Sequence, residues 1–470
     1  GSFSCGRRNF DPVACKEETA LTQQCARRKP VDEGTRVVQI LASKPENTGD
    51  EMTISPKDMP SWQACEAALK RIDDRQAEMV ETVQDWSRIN SGTANAAGLS
   101  RMEALVLEAF APLECEVELI ALADGEKVNA AGEIETIKNG STIRLFKRPE
   151  ANRKVLMTGH TDTVFAVDHA FQEPVWLDDN TLNGPGVADM KGGILVMLDA
   201  LKAFEATPLA ASVGWEVLLS PDEETGSLAS AAVLADRAVS ADIGMTYEPA
   251  LADGTLAGAR KGSGNFTLIV RGKAAHAGRE FHNGRNAVVK MAELVGELAA
   301  LTDGRPELTV NPAVAEGGVA PNVVPDLAMC RFNVRLKEPE DAIWFQAQLD
   351  AIAARGNACE GYSVQIHGGI NRPPKALSDA NLKLMDAIKA CGLELGININ
   401  YVPTGGCCEG NNLAAAGLPN VDTLGVRGGL IHSADEFVLA DSFSERAKLS
   451  ALILMAFASG QLDHVVKAKA

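Results

Sequence analysis

The sequence predicts an α/β protein whose mixed sheet is interrupted by an inserted ferredoxin-like α+β module. Three observations predict this. Apolar runs at residues 154–157, 215–219 and 243–247 each end abruptly in polar residues, at Gly159-His160, Ser220-Pro221 and Glu248-Pro249. A helical pattern at 194–204 separates the first two runs, and buried strands joined by helices make a parallel or mixed sheet. Between 259 and 370 the periodicities follow the order β-α-β-β-α-β, that of a ferredoxin-like module.

Taken in order, residues 1–71 read as an extension, because they mix Lys/Arg-rich and Pro-containing pieces without sustained periodicity. Cys5, Cys15, Cys25 and Cys65 fall there and could form local disulfides, but their spacing matches no zinc pattern. A helical pattern starts near Pro60 and runs through 67–86, and a second covers 99–110. The inserted module begins with an alternating strand at 266–272, followed by a helix at 287–301 and strands at 308–310 and 327–336. A helix at 341–355 and a strand at 362–367 complete it. Helical and strand patterns resume at 378–393. The expected division is therefore 1–71, then a main domain of 72–258 and 371–463, interrupted by 259–370.

Composition narrows the function. A chain of 470 residues calls for about two or three domains. Its formal charge of −18 argues against nucleic-acid binding, which needs a basic face, and against an anionic membrane surface. No apolar stretch approaches the ~18 residues of a membrane span, and no secretory leader is visible, so the expected compartment is cytoplasmic rather than periplasmic or secreted.

Five motifs carry chemically able residues just past strand ends, where ligands bind in open α/β sheets. In Gly159-His160-Thr161-Asp162, His160 and Asp162 point to one side of an extended segment, and a carboxylate beside a metal-binding imidazole orients it and raises its basicity. In Gly184-x-Gly186-x-x-Asp189-Met190-Lys191-Gly192-Gly193, a carboxylate enters a tight turn that opens a helix. Asp222-Glu223-Glu224 offers adjacent carboxylates, one to bind metal and one to act as a base. Tyr247-Glu248-Pro249 and Gly429-Leu430-Ile431-His432-Ser433-x-Asp435-Glu436 complete the set. Each alone reads as a cap, a turn or a solvated loop. Together, mixed imidazole and carboxylate ligands suit zinc, with cobalt or manganese as alternatives, and two such ions sharing one carboxylate activate a water.

In this order the motifs resemble those of the M20 family of metallopeptidases, of the glutamate carboxypeptidase (carboxypeptidase G2-like) type, over about residues 72–463. The resemblance implies a zinc-peptidase-like catalytic domain with a lid or dimerisation domain at 259–370, and two divalent metal ions, most often zinc. It implies His160 and Glu248 as ligands of one ion, Glu224 and His432 of the other, Asp189 as the bridge and Asp162 as the partner of His160. Glu223 resembles the general base, and a cis peptide is implied at Asp189-Met190. His276, in Gly272-Lys273-Ala274-Ala275-His276-Ala277-Gly278, resembles an oxyanion-stabilising residue that typically serves the other subunit of a homodimer. Asn322 and Arg335 resemble residues that hold the substrate carboxylate, a task suited to the planar guanidinium fork.

One loop departs from the pattern. Many family members read G-G-x-S-D-G-N where this chain has Gly405-Gly406-Cys407-Cys408-Glu409-Gly410-Asn411, a change expected to alter pocket shape and polarity. The adjacent cysteines do not form a C-x-x-C redox motif. The expected reaction is hydrolysis of an amide bond next to a free carboxylate, in a short peptide or N-acyl amino acid, with glutamate as a candidate leaving group. An aminoacylase or N-deacylase of the same family is the alternative within the class, and a non-catalytic metal or ligand binder the alternative outside it.

Overall fold

The computed structural model describes residues 52–466. Cys5, Cys15, Cys25 and residues 1–51 of the expected extension lie outside the described residues. Residue 72 falls within a helix, Trp62–Asp74, that buries Cys65, Ala68, Leu69 and Ile72 in the main core. Those positions recur at helical spacing, which marks a core-facing stripe, and Cys65 is a free thiol within it. The single helical pattern expected here is two helices, because the chain breaks at Arg75 before Gln76–Ser87. The guanidinium of Arg75 pairs with Asp199 and Glu78 across the break.

The main sheet has six strands, in the order Glu116–Ala121, Ser141–Lys147, Val213–Ser220, Arg153–His160, Ile243–Thr246 and Asn420–Val421. The first two contacts are antiparallel and the last three parallel, so the sheet is mixed. Its central strands read as continuous apolar runs because both faces are covered. Val155, Met157, Val217 and Leu219 face the helices Lys191–Glu205 and Ser442–Ala458. Leu156 and Leu218 face the other way, toward Leu234 and Leu413 of the helices Ala231–Ser240 and Glu409–Ala415. A smaller five-stranded sheet includes Thr181–Asn183, Arg427–Gly429 and Phe437–Leu439.

The inserted module has the expected topology. Its antiparallel strands run in the order Thr309–Gly317, Leu327–Leu336, Gly262–Arg271 and Ser363–Arg372. The helices Ala287–Ala299 and Pro339–Asn357 cover one face, packing on Phe266, Leu268, Cys330 and Phe332. Alternation along the strands sends Ser263, Asn265, Ile269, Met329, Asn333 and Arg335 to the opposite face. One end of that face is covered by a β-hairpin, Gly125–Val128 with Ile134–Ile137, that extends from the main domain and was not apparent in the sequence. Val128 of the hairpin packs on Ile269 and Met329, and Arg271 Nη2 donates to the carbonyls of Ala131 and Gly132 at 3.0 and 2.9 Å. The other end of the face is open and looks onto the carboxyl ends of the main sheet.

Candidate metal centre and cleft

Local folding brings four of the five motifs to the ends of parallel strands or to the helix that follows. His160 is the last residue of Arg153–His160, and Glu223 and Glu224 follow the end of Val213–Ser220. Glu248 lies just beyond Ile243–Thr246. Asp189 precedes the helix Lys191–Glu205 through a cis peptide to Met190. The glycines after it permit a close approach: a Cβ on Gly193 would lie 2.1 Å from the carbonyl oxygen of Tyr247. His432 arrives from the smaller sheet, on a turn where Leu430 and His432 itself adopt left-handed backbone angles of 53° and 64°. Non-glycine residues rarely occupy that region, and here it returns the imidazole toward Asp189 and Glu224.

Asp189 sits between the two imidazoles. Its Oδ1 is 3.0 Å from His160 Nε2 and its Oδ2 is 3.3 Å from His432 Nε2. Glu248 Oε1 lies 3.7 Å from His160 Nε2, and Glu224 Oε2 lies 3.1 Å from His432 Nε2. Glu223 Oε2 is 4.0 Å from His160 Nε2, so distance alone also admits it as a ligand. Its other oxygen is held by Arg372 Nη2 at 2.7 Å.

Asp162 ties two motifs together. Its backbone oxygen is 2.9 Å from His160 Nδ1, and its carboxylate accepts the backbone N–H groups of Glu223 and Glu224 at 3.2 and 3.1 Å. Thr93 Oγ1 also donates to it, at 2.7 Å. Glu436 plays a matching part for the Asp189 turn, accepting from the N–H groups of Ala188 and Asp189 on one oxygen and Gly186 on the other, all at 3.0 Å.

Crowding of carboxylates in a buried site perturbs their protonation. Burial and the charge of Asp189 push Glu224 up to about 8. Burial and the charges of Asp189 and Glu223 push Glu248 well above the usual carboxylate range. His432 is pushed up to about 11 by hydrogen bonds to Asp189 and Glu224. For His160, burial opposes the charge, but hydrogen bonds to Asp162 and Asp189 outweigh it and hold the imidazole well above its ordinary value. Asp189 is also buried, yet its two imidazole partners hold it well below its ordinary value. The donor set fits divalent cations. Its nitrogens and oxygens are those zinc accepts, the groups His160–Asp189–Glu224 and His160–Glu223–Glu248 each converge closely enough to hold an ion, and Glu248 Oε1 is buried without a hydrogen-bond partner.

These side chains form one wall of a cleft of about 720 Å³, whose opposite wall includes Ser263, Asn265, Asn333 and Arg335 of the inserted module. Arg260, Arg335 and Arg372 all line it. Arg260 Nε donates to the buried Asp422 at 2.9 Å, an acceptor shared with Lys375 at 2.8 Å. His276 and Asn322 are exposed and lie outside the cleft of their own chain. They are neighbours on a short β-pairing, where the Ala277 N–H donates to the Asn322 carbonyl at 3.0 Å. In the unusual loop Gly405, Gly406 and Cys407 line the cleft. Cys408 is buried and caps the next helix, its sulfur accepting from the Gly410 N–H at 3.3 Å. Glu409 points into the core, where it accepts from Ser220 Oγ at 2.5 Å and burial pushes it up to about 8. The two departures from the family pattern, Cys408 and Glu409, thus lie outside the cleft lining, and the expected change in pocket shape and polarity is not made by their side chains directly.

The sequence pattern of peptidase family M20/M25/M40 matches residues 156–456, well over half of the chain. The chain belongs to that family. It is similar to carboxypeptidase G2 of Pseudomonas sp. (strain RS-16), with 26% identity over 83% of this chain and 91% of that protein. It is also similar to succinyl-diaminopimelate desuccinylase of Marinobacter nauticus, with 28% identity over 68% of this chain and 88% of that protein. Among solved structures, the M20 metallo-carboxypeptidase Sso-CP2 of Sulfolobus solfataricus shares the fold, with a TM-score of 0.62 and 16% identity over 81% of this chain and 99% of that one. The chain is thus an enzyme of the metallopeptidase and amidohydrolase class, with the family's mixed-sheet α/β fold. Arg372 and Glu436 were not assigned roles from the sequence. Glu436 stood in the His432 motif without a signal of its own, and Arg372 lies in Asn371-Arg372-Pro373-Pro374, where nothing marks it as part of a site.

Proposed function

We propose that this enzyme hydrolyses the amide bond of a short peptide or N-acyl amino acid that carries a free carboxylate, with glutamate among its leaving groups. The observation that carries this reading is the placement of Asp189, one oxygen toward each imidazole, opposite a wall bearing Arg335 and Arg372. His160, Glu248 and Asp189 would hold one divalent ion and His432, Glu224 and Asp189 a second, with zinc the best match to the donors. When bound, such a pair polarises the scissile carbonyl and lowers the pKa of water.

Glu223 serves as the base. Arg372 fixes its Oε1 and leaves Oε2 on the side of His160 and Glu248, placed to accept the proton of the attacking water. The same oxygen returns that proton to the leaving nitrogen. Asp162 orients His160 and, through two backbone N–H groups, the Glu223–Glu224 turn. Arg335 has no carboxylate partner among the described residues, which supports its reading as the substrate-carboxylate site. His276 and Asn322 are read as completing the cleft of a second copy, in a homodimer formed through the inserted module. The strand Thr309–Gly317, at the edge of that module's sheet, offers a surface for such pairing.

A panel of N-acyl amino acids and dipeptides, assayed with zinc and with chelator, tests this reading. Hydrolysis is expected only with metal, with loss of at least about tenfold in kcat/KM when the substrate carboxylate is amidated. Equal rates for the free acid and the amide would overturn the carboxylate assignment. The acyl group that gives the highest kcat/KM distinguishes a carboxypeptidase from an N-deacylase.

A further inference from the structure

Cys407 is the nucleophilic side chain of the cleft that hydrolysis does not use. Among the described residues the partly exposed free cysteines are Cys115, Cys359 and Cys407, and of these only Cys407 lines the cleft. Its sulfur accepts from Arg335 Nη1 at 3.1 Å and stands 3.7 Å from Arg372 Nη1. Arg372 is 5% exposed, and its Nε is buried without a hydrogen-bond partner. One of these guanidinium groups is balanced by Glu223, while the other has no carboxylate partner among the described residues. An attackable sulfur therefore lies beside an unneutralised cation, in a cleft with room for a small molecule.

We propose that Cys407 is a modification site for small disulfides bearing a carboxylate, and that its modification reversibly closes the substrate-carboxylate site. The proposal rests on the reading of Arg335 and Arg372 as carboxylate binders. The reagent's carboxylate docks on the guanidinium fork, which raises its local concentration at the sulfur. Cys407 loses its proton to solvent, and its thiolate attacks the nearer sulfur of the disulfide. A new S–S bond forms, the old one breaks, and the other half departs as a thiolate carrying the electron pair. The disulfide is the oxidant: the Cys407 sulfur is oxidised to the disulfide level, the departing sulfur is reduced to a thiolate, and the attacked sulfur keeps its oxidation state. The bound half then leaves its carboxylate where the substrate's would sit. Cys408 cannot resolve the mixed disulfide, because its sulfur is buried and engaged as a helix cap. Reversal falls to an external thiol.

The test compares dithiodipropionate, an aliphatic disulfide with carboxylates, with cystamine, an aliphatic disulfide with ammonium groups. Both are applied to the full zinc-loaded chain, and rates of mixed-disulfide formation at Cys407 are read by peptide mass mapping and normalised to free cysteine. A protein of net charge −18 attracts the cationic reagent overall, so a local preference for the anion is diagnostic. The anionic disulfide is expected to label Cys407 at least about tenfold faster, with the preference lost in Arg335→Gln. Hydrolysis should fall in step with labelling and return with dithiothreitol. Equal normalised rates, or labelling of Cys115 and Cys359 but not Cys407, would overturn the proposal. Mass mapping needs no turnover, so labelling with the expected preference but without hydrolysis of any carboxylate substrate would sink the substrate reading alone. Hydrolysis without labelling would sink this proposal alone.

Discussion

Arg372 holds Glu223 from both ends: its Nη2 donates to the Glu223 carbonyl oxygen at 2.6 Å and lies 2.7 Å from the carboxylate Oε1. Both side chains are buried, and removing one partner of such a pair strands the other charge. Arg372→Ala should destabilise the fold by about 3–5 kcal/mol and lower kcat, while metal content stays that of the wild type. Thermal unfolding, elemental analysis and steady-state kinetics check the three parts. Wild-type kcat in a folded Arg372→Ala protein would show that Glu223 needs no anchor.

Glu223 and Glu224 are adjacent in sequence but face different neighbours, Arg372 and His432. Glu223→Gln is expected to keep its metal and lose about 100-fold or more in kcat, the scale of a missing proton-transfer group. Glu224→Ala is expected to lose metal, read by elemental analysis after purification. Near wild-type turnover in the first variant, or full metal content in the second, would reverse the assignment of roles.

The metal-free site should release protons when it is filled. His160 and His432 are held above their ordinary values, and Glu224 and Glu248 are raised, whereas ligation requires deprotonated donors. Zinc affinity should therefore strengthen as pH rises, with net proton release in calorimetry across buffers of different ionisation enthalpy. Stability follows the same groups. The contribution of His432 to the metal-free fold is complete below about 6.5 and fades as pH rises toward about 11. Glu224, at about 8 rather than 4.5, binds more protons folded than unfolded, so its contribution also falls as pH rises through that interval. The Tm of the chelator-treated protein should drop between pH 5 and 8 while that of the zinc-loaded protein holds. Parallel curves would refute this account.

If His276 serves a second copy, two inactive variants should complement each other. Co-expressed His276→Ala and Glu223→Gln chains would form mixed dimers in which one of the two clefts has both residues intact. About a quarter of all clefts in an equal mixture are then complete, and activity should recover toward that fraction. No recovery, with mixed dimers verified by mass, would place His276 outside catalysis in trans.

The candidate metal-binding residues stood out in the sequence because they fall at strand ends, where an apolar run stops and a lone His or carboxylate is conspicuous. The order of the inserted module was legible from alternation, since Phe266, Leu268 and Val270 face its helices while their neighbours do not. Arg372 was not, because its partner is 149 positions away and no local pattern announces a tertiary ion pair. The loop at Cys407 was only half legible. Its departure from related sequences at Cys408 and Glu409 was plain, but these two and the adjacent Cys407 look alike until folding turns Cys408 and Glu409 inward and leaves Cys407 in the cleft. The hairpin that reaches the inserted module escaped notice because its strands are four residues each and mostly exposed, with Val128 the buried anchor.

That hairpin acts as a clasp. The chain enters and leaves the inserted module side by side, through a bridge between Arg260 and Lys375, which by itself would make a free pivot. Val128 fastens the same module at the far end of the sheet. Any swing that widens the cleft must either carry the hairpin with it or strip Val128 from Ile269 and Met329. Exposing a buried valine costs roughly 2 kcal/mol, so a swing that unseats it leaves the open form outnumbered by about thirty to one.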